Sequence, residues 1–287
     1  MIDFANLKAR VSALKLNLYD LSIQTDAGIE TCRFQPCNAC NNSYSVAKAF
    51  IMSAVGLLAD AGKLRVTDSL VGLMGPLAPA NLAPEWREVT VAHALTHRIG
   101  FERGFLDVDV EDPRAWPTDD YLSLIFAHPL ACAPGERYVY SDAAYYLLSR
   151  LVEQVSGEPT EQLLQRSLLG PMAFRESAWS LCPQHHIMGA TGLYCSSADM
   201  VKLGWLYLHG GRYEGKQLLS QAWTQQAIEQ GYELRPLKNT SLIGKCGMWG
   251  QAVAFDRESG AAVAWHAYEE PRRMEALMEC IGALLRP

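Results

Sequence analysis

Apolar–polar alternation of the kind that marks β-strands occurs near the two ends of this chain, with a long, mainly helical pattern between them. At the front, Lys15 to Phe34 alternates on either side of Asp26-Ala27-Gly28, a hairpin-type turn. At the back, Gly250–Asp256 and Ala261–His266 flank the turn residues Arg257-Glu258-Ser259-Gly260, and Met274–Leu285 reads as a closing amphipathic helix. From about Val66 to Tyr232 the pattern predicts helices at Val89–His97, Asp119–Ala127, Ala143–Val155, Thr160–Leu168, Ala198–His209 and Gln221–Gln230. Strands so far apart in sequence share a sheet only if the chain between them leaves and returns. The expected fold is therefore α/β (α+β): an antiparallel sheet from both termini flanked by helices, residues 1–65 and 236–287, with an inserted mainly helical lobe over 66–235. A cleft between two such lobes is the natural place for a small-molecule site.

Composition narrows the function classes. The 287 residues are 49% hydrophobic and 20% charged, which suits a globular protein with a substantial core. The net charge of −6 and the lack of clustered Lys and Arg argue against a nucleic-acid partner. Asp3, Lys8, Arg10, Lys15 and Asp20 interrupt the first apolar residues, and the most apolar stretch, Ala49 to Ala59, is far short of the ~20 residues that span a bilayer. These features predict a soluble, cytoplasmic protein with no membrane partner. Eight cysteines raise the question of disulfides or metal. Cys37 and Cys40 form a C-x-x-C with Cys32 upstream, but no second pair follows at metal spacing, and His185-His186 near Cys182 make a poor chelate. Reduced thiols, no metal and no organic cofactor are expected; a redox or metal protein built on Cys32, Cys37 and Cys40 is the remote alternative.

The chemistry-bearing feature is Ser45-Val46-Ala47-Lys48, at the head of an apolar helical run through Leu58 that stops near Gly62. A serine hydroxyl is a poor nucleophile at neutral pH and needs a group to take its proton. Residues i and i+3 share a helix face, so Lys48 can reach Ser45 Oγ, and a helix start aims free N–H groups at developing negative charge. Alone, the tetrad also reads as a helix cap followed by an exposed lysine, and the same spacing recurs at Ser12-Ala13-Leu14-Lys15.

Two further elements follow in order: Tyr140-Ser141-Asp142, ahead of Ala143 to Leu148, and Lys245-Cys246-Gly247, ahead of Met248-Trp249-Gly250. With them the chain resembles the serine β-lactamase and penicillin-binding-protein superfamily, in the branch of class C β-lactamases, DD-peptidases and esterases. That family pairs Ser-x-x-Lys with Tyr-x-Asn and then Lys/His-x-Gly. Leu95-Thr96-His97, Pro134-Gly135, Ala190-Thr191-Gly192-Leu193-Tyr194, Ser197-Ala198-Asp199, Gly210-Gly211-Arg212-Tyr213 and Gly215-Lys216 extend the likeness over most of the chain. The resemblance implies an acyl-enzyme serine hydrolase acting on a small ester, amide or peptide-like substrate. Ser45 would be the nucleophile, Lys48 its general base or proton relay, Tyr140 the proton shuttle, and Lys245 a positive charge beside it. Ser45 and Met248 would supply the oxyanion N–H groups, with Asp142, Cys246, Gly247 and Trp249 lining the substrate. Gly247 is expected to leave room for substrate along its strand. Mutual repulsion between Lys48 and Lys245 is expected to lower both pKa values, the sense a lysine base requires.

The departures matter as much. Asp142 replaces the usual Asn, and a carboxylate beside Lys48 would hold it protonated, unless Asp142 is itself protonated or Tyr140 takes the proton. Ser141-Asp142-Ala143 also resembles the Ser-Asp-Asn element of other branches; the residues after it favour Tyr140 over Ser141. Cys246 replaces a hydroxyl residue that can grip a substrate carboxylate, which disfavours penicillins and D-Ala-D-Ala peptides. An esterase or amidase is thus expected ahead of a true β-lactamase or D-Ala-D-Ala carboxypeptidase. The rival reading is a catalytically weak member that binds an acyl or peptide ligand in the same cleft. His97 and His266 are expected to be structural, since no G-x-S-x-G elbow surrounds Ser45.

Overall fold

The computed structural model describes residues 3–285; Met1, Ile2, Arg286 and Pro287, the outermost residues of the expected terminal lobe, lie outside the described residues. The chain opens with α1 (Phe4–Ala13), whose cap Asp3 accepts from the Asn6 N–H, and continues through β1 (Leu18–Thr25) and β2 (Gly28–Arg33). The short β3 (Asn41–Asn42) leads into a 3₁₀ turn at Tyr44–Val46 and then α2 (Ala47–Asp60). The middle supplies α3 (Leu70–Met74), α4 (Val91–Leu95), α5 (Tyr121–Ala127), α6 (Asp142–Ser156) and α7 (Thr160–Leu164). Next come β4 (Ser177–Trp179), β5 (Leu193–Cys195), α8 (Ser197–Leu208), the ladder of β6 (Arg212–Tyr213) with β7 (Lys216–Gln217), and α9 (Gln221–Glu229). The last part holds β8 (Arg235–Pro236), β9 (Ile243–Cys246), β10 (Ala252–Asp256), β11 (Ala261–Ala267) and α10 (Pro271–Leu284).

The main sheet has the order β2-β1-β11-β10-β9-β8 and is antiparallel throughout. β1 from the front of the chain lies beside β11 from the back, with Leu21 opposite Trp265 and Ile23 opposite Val263, so the two ends do build one sheet. β10 and β11 are buried at every position, because both faces of the sheet are covered. Leu7 and Val11 of α1 and Leu277 and Ile281 of α10 pack on one face. α8 packs on the other, against β1, β10 and β11, although its sequence falls within the segment expected as the inserted lobe. The core on that side runs without a break from Phe255, Ala262 and Ala264 of the sheet into α2 and α6. The helical part is therefore seated directly on the sheet, which allows side chains from both to meet.

Most expected helices form, with ends set by local chemistry. α4 starts at Val91 because Thr90 and His93 make a reciprocal capping box, and α5 starts after Asp120, whose carboxylate takes the Leu122 and Ser123 N–H groups. After α7 the expected helix continues as a π-turn over Gln165–Leu169. Sequence periodicity missed α1, whose buried positions are only Leu7 and Val11, and a small sheet of order β3-β5-β4. Strands of two or three residues are too short to show alternation. Among the described residues, no helix is long and apolar enough to cross a membrane.

Gly204 shows how closely α8 sits on the sheet: a Cβ there would stand 2.7 Å from the Ala254 carbonyl oxygen and 3.3 Å from Ala262 Cβ. Gly→Ala inside a helix ordinarily stabilises by ~1 kcal/mol. Here the backbone has nowhere to go, and Gly204→Ala should destabilise by ~1–3 kcal/mol in denaturant unfolding. Gly72→Ala, exposed on α3 with only ordinary contact to Ser69, should shift stability the other way.

Candidate active site

The site begins where the small sheet hands the chain to α2. Ser43 N–H bonds Leu193 O of β5, and Tyr44 N–H bonds the Asn42 side chain at 2.9 Å. Tyr44 takes φ +48°, a left-handed conformation that costs a non-glycine residue about 1–3 kcal/mol and is common at functional sites. Ser45 lies in the 3₁₀ turn rather than at the head of the α-helix itself. Lys48, one turn on, is completely buried, and its Nζ lies 3.0 Å from Ser45 Oγ, 2.7 Å from Asp142 Oδ1 and 2.7 Å from Ala190 O. Three acceptors match the three N–H bonds of an ammonium.

Tyr140 reaches the same point from the residue before the α6 cap. Its hydroxyl is 2.8 Å from Ser45 Oγ, and Lys245 Nζ, from β9, is 3.2 Å from that hydroxyl. Lys48 and Lys245 lie 4.9 Å and 4.8 Å from the Tyr140 ring centroid. Ser141 is turned away, its hydroxyl bonded to the Phe105 N–H and carbonyl. The phenol, not the neighbouring serine, is therefore brought to Ser45.

Sequence reasoning missed Glu233, which sits between α9 and β8 without any motif to flag it. Its buried carboxylate is 2.5 Å from Lys245 Nζ and 2.9 Å from His97 Nε2. The Ser141 N–H donates to His97 Nδ1, so Nε2 carries the proton and donates to Glu233. The His97 ring packs on Tyr140 with centroids 4.5 Å apart. The expectation that His97 is structural holds for its bonding, but its location is the site. His266 lies elsewhere, on β11 beside Asp20 of β1, with Nδ1 3.3 Å from Oδ1.

Two main-chain donors remain. The 3₁₀ turn at Met248–Gly250 uses the Gly250 and not the Met248 N–H, and the Tyr44–Val46 turn likewise leaves the Ser45 N–H unused; among the described residues neither has a protein acceptor. Gly247 explains how the segments approach: a Cβ there would collide with the Ser43 carbonyl oxygen and crowd Tyr44 Cβ. The space beside Gly247 is thus filled by the protein's own backbone, not kept for substrate as expected. Cys246 also departs from expectation. Its thiol points to Met278 Sδ of α10, 3.7 Å away, because alternate residues of β9 face opposite sides of the sheet. Trp249, at φ +60°, stacks on Tyr268 with centroids 4.6 Å apart. All eight cysteines are free thiols.

The electrostatics reverse one expectation. Burial pushes the Lys48 ammonium down, but the Asp142 carboxylate, with Tyr140 and Glu233 behind it, pushes up by more and holds it above its ordinary value. Lys245 is raised in the same way, with burial outweighed by Glu233 and Tyr140, even though Lys48 repels it. The mutual repulsion is real and loses, because each lysine faces a carboxylate at ion-pair distance. Glu233, which burial would raise, is brought down to about 2 by Lys245 and His97. His97 is lowered by burial. Beyond Asp142 lie Asp107 and Asp109, one oxygen of each carboxylate within 4.8 Å of the others; burial and Asp142 push Asp107 up to about 6.

Residues 42–277 match the family model described as Beta-lactamase. PbpX of Bacillus subtilis (strain 168), provisionally named a penicillin-binding protein, is 24% identical over 193 residues, which is 59% of this chain and 46% of PbpX, so the chain spans less than half of that relative. A structure from Bacillus anthracis, provisionally assigned as a 6-aminohexanoate-dimer hydrolase, superposes with a TM-score of 0.83 at 13% identity, covering 97% of this chain and 81% of that one. EstCE1, described as a hydrolase with promiscuous acyltransferase activity, gives 0.73 at 16% identity, covering 98% of each chain. The two structures share the fold, and the family match extends from the strand before Ser45 into α10, past all three sequence elements: this chain belongs to the β-lactamase family, within the superfamily of serine β-lactamases and penicillin-binding proteins.

Proposed function

We propose that the protein is a serine hydrolase that cleaves an ester or amide through an acyl-enzyme on Ser45. The observation that carries this reading is the hydrogen-bonded chain from Ser45 Oγ to the Tyr140 hydroxyl to Lys245 Nζ, with Lys48 Nζ on the same Ser45 oxygen. In acylation, Ser45 Oγ bonds to the carbonyl carbon and the bond to the leaving oxygen or nitrogen breaks. Tyr140 accepts the Ser45 proton and gives one to the leaving group, so it ends acylation in the protonation state in which it began. Water then attacks the acyl carbon, passes a proton to Tyr140, and Ser45 Oγ leaves with the proton Tyr140 returns. The carbonyl oxygen is held by the N–H groups of Ser45 and Met248, each worth ~3 kcal/mol in the transition state.

Lys48 acts here as a fixed cation rather than a base. Asp142 keeps it protonated, and its charge favours the developing Ser45 alkoxide. Lys245 does the same for the Tyr140 oxygen, held in place by Glu233. The reading needs no cofactor.

A fluorophosphonate probe should add its mass to Ser45, with no adduct on Ser45→Ala. Tyr140→Phe should slow acylation by ~10²–10⁴-fold. Binding without an adduct would support the non-catalytic reading instead. Asp142→Asn decides the role of Lys48. Without the carboxylate, burial lowers the Lys48 pKa; a required ammonium would move the alkaline limb of kcat/KM down by ~1–3 pH units. A required amine would move the acid limb down instead and refute the cation assignment. Glu233→Gln keeps an acceptor for His97 but presents an amide to Lys245. A roughly 10–100-fold loss in kcat with KM changed less than about threefold is expected from misplacing Lys245 and Tyr140.

A further inference from the structure

A hollow of about 300 Å³ is lined by Tyr19, Asn41, Asn42, Tyr44, Tyr194 and Tyr268, with Gln251 and Ala267 completing it. Two of its lining residues are linked to the proposed oxyanion donors: Tyr44 precedes Ser45 in the chain, and Tyr268 stacks on Trp249, the residue after Met248. The Gln251 amide, bonded to both the N–H and the carbonyl of Ala267, fixes its floor. Four phenol rings and three side-chain amides meet here, and among the described residues no charged one lines the hollow. Burial and the nearby Asp109 keep the Tyr44 phenol raised and uncharged.

Both lysines of the proposed site are already paired. Lys48 is paired with Asp142 and Lys245 with Glu233. Arg235 donates its Nε to Gly231 O, lies over the Tyr138 ring at 5.1 Å, and does not line the hollow. Asp107 and Asp109 add negative charge on the Lys48 side. The Cys246 thiol, the position from which a hydroxyl could hold a carboxylate, faces α10.

We propose that this tyrosine-lined hollow seats an uncharged aryl group of the ester or amide substrate, and that the site discriminates against substrates carrying a carboxylate. The inference rests on the serine-hydrolase reading above. An aryl ring gains from edge-to-face or offset contact with tyrosine rings, beyond the area it buries. A carboxylate there would lose its water and find no cation among the described lining residues, an uncompensated cost.

The test compares p-nitrophenyl phenylacetate, hexanoate, acetate and hemisuccinate on the wild type, Tyr194→Ala and Tyr268→Ala. Both rings are exposed, at 39% and 49%, so truncation leaves the core intact. The wild type should favour phenylacetate over hemisuccinate by at least about tenfold in kcat/KM, which is ~1.4 kcal/mol. Each variant should reduce the ratio of phenylacetate to hexanoate by roughly five- to tenfold, mainly through KM. Equal or better turnover of hemisuccinate, or an unchanged ratio in both variants, overturns the proposal while leaving Ser45 acylation standing. If no ester is turned over and no adduct forms, the hydrolase reading fails, and binding still tests the hollow. Phenylacetamide should then bind Ser45→Ala more tightly than succinamate does by calorimetry, and more weakly when Tyr194→Ala is added; the reverse order overturns it.

Discussion

A completely buried ammonium organises the centre of this molecule. Taking Lys48 out of water costs several kcal/mol, and the cost is met only where all three N–H bonds find acceptors and a counter-charge lies in contact. Those acceptors come from three separate segments: the 3₁₀ turn before α2, the first residue of α6, and the carbonyl of Ala190 ahead of β5. Removing one partner of such a pair typically costs about 3–5 kcal/mol, so the three segments are tied to one arrangement. The proposed nucleophile belongs to that arrangement, since Ser45 is one of the three acceptors.

A second buried pair repeats the device on the other side of Tyr140. Glu233 holds Lys245 toward the phenol and His97 against its ring. Tyr140, itself 39% exposed, is thereby held by groups that are almost wholly buried. This is a pre-organised site in the physical sense: the charges that face the reacting atoms cannot relax away, because each is fixed from behind by its own carboxylate. The same pairing engages both lysines of the site with carboxylates, which links the proposed mechanism to the proposed choice of substrate.

The residues that the structure brings together around Ser45 were legible because two of them sit at a fixed spacing of one turn, and the others fall in a recognisable order with their own neighbours. Ser45, Lys48, Tyr140 and Lys245 could be named that way, and so could the consequence of Asp142 for Lys48. Glu233 could not. A lone glutamate after a helix carries no periodicity or spacing, and only the folding of β8 against β9 brings it to Lys245. The expected lowering of the lysine pKa values failed partly for the same reason: the resemblance placed two cations in one cleft, and the carboxylate that outweighs their repulsion at Lys245 is Glu233, brought there only by tertiary packing.

By itself, the amino-acid order determined that strands would form near the two ends, that helices would fill the middle, and that one serine would stand just ahead of an apolar helix with a lysine one turn on. Those are consequences of local alternation, helical spacing and turn residues, which act over a few positions. Which way Cys246 faces, what fills the space beside Gly247, where α8 rests and which phenols gather around Tyr44 were decided only by tertiary packing. Each depends on contacts between segments distant in sequence, and strand alternation or close backbone approach reverses its meaning with a shift of one residue.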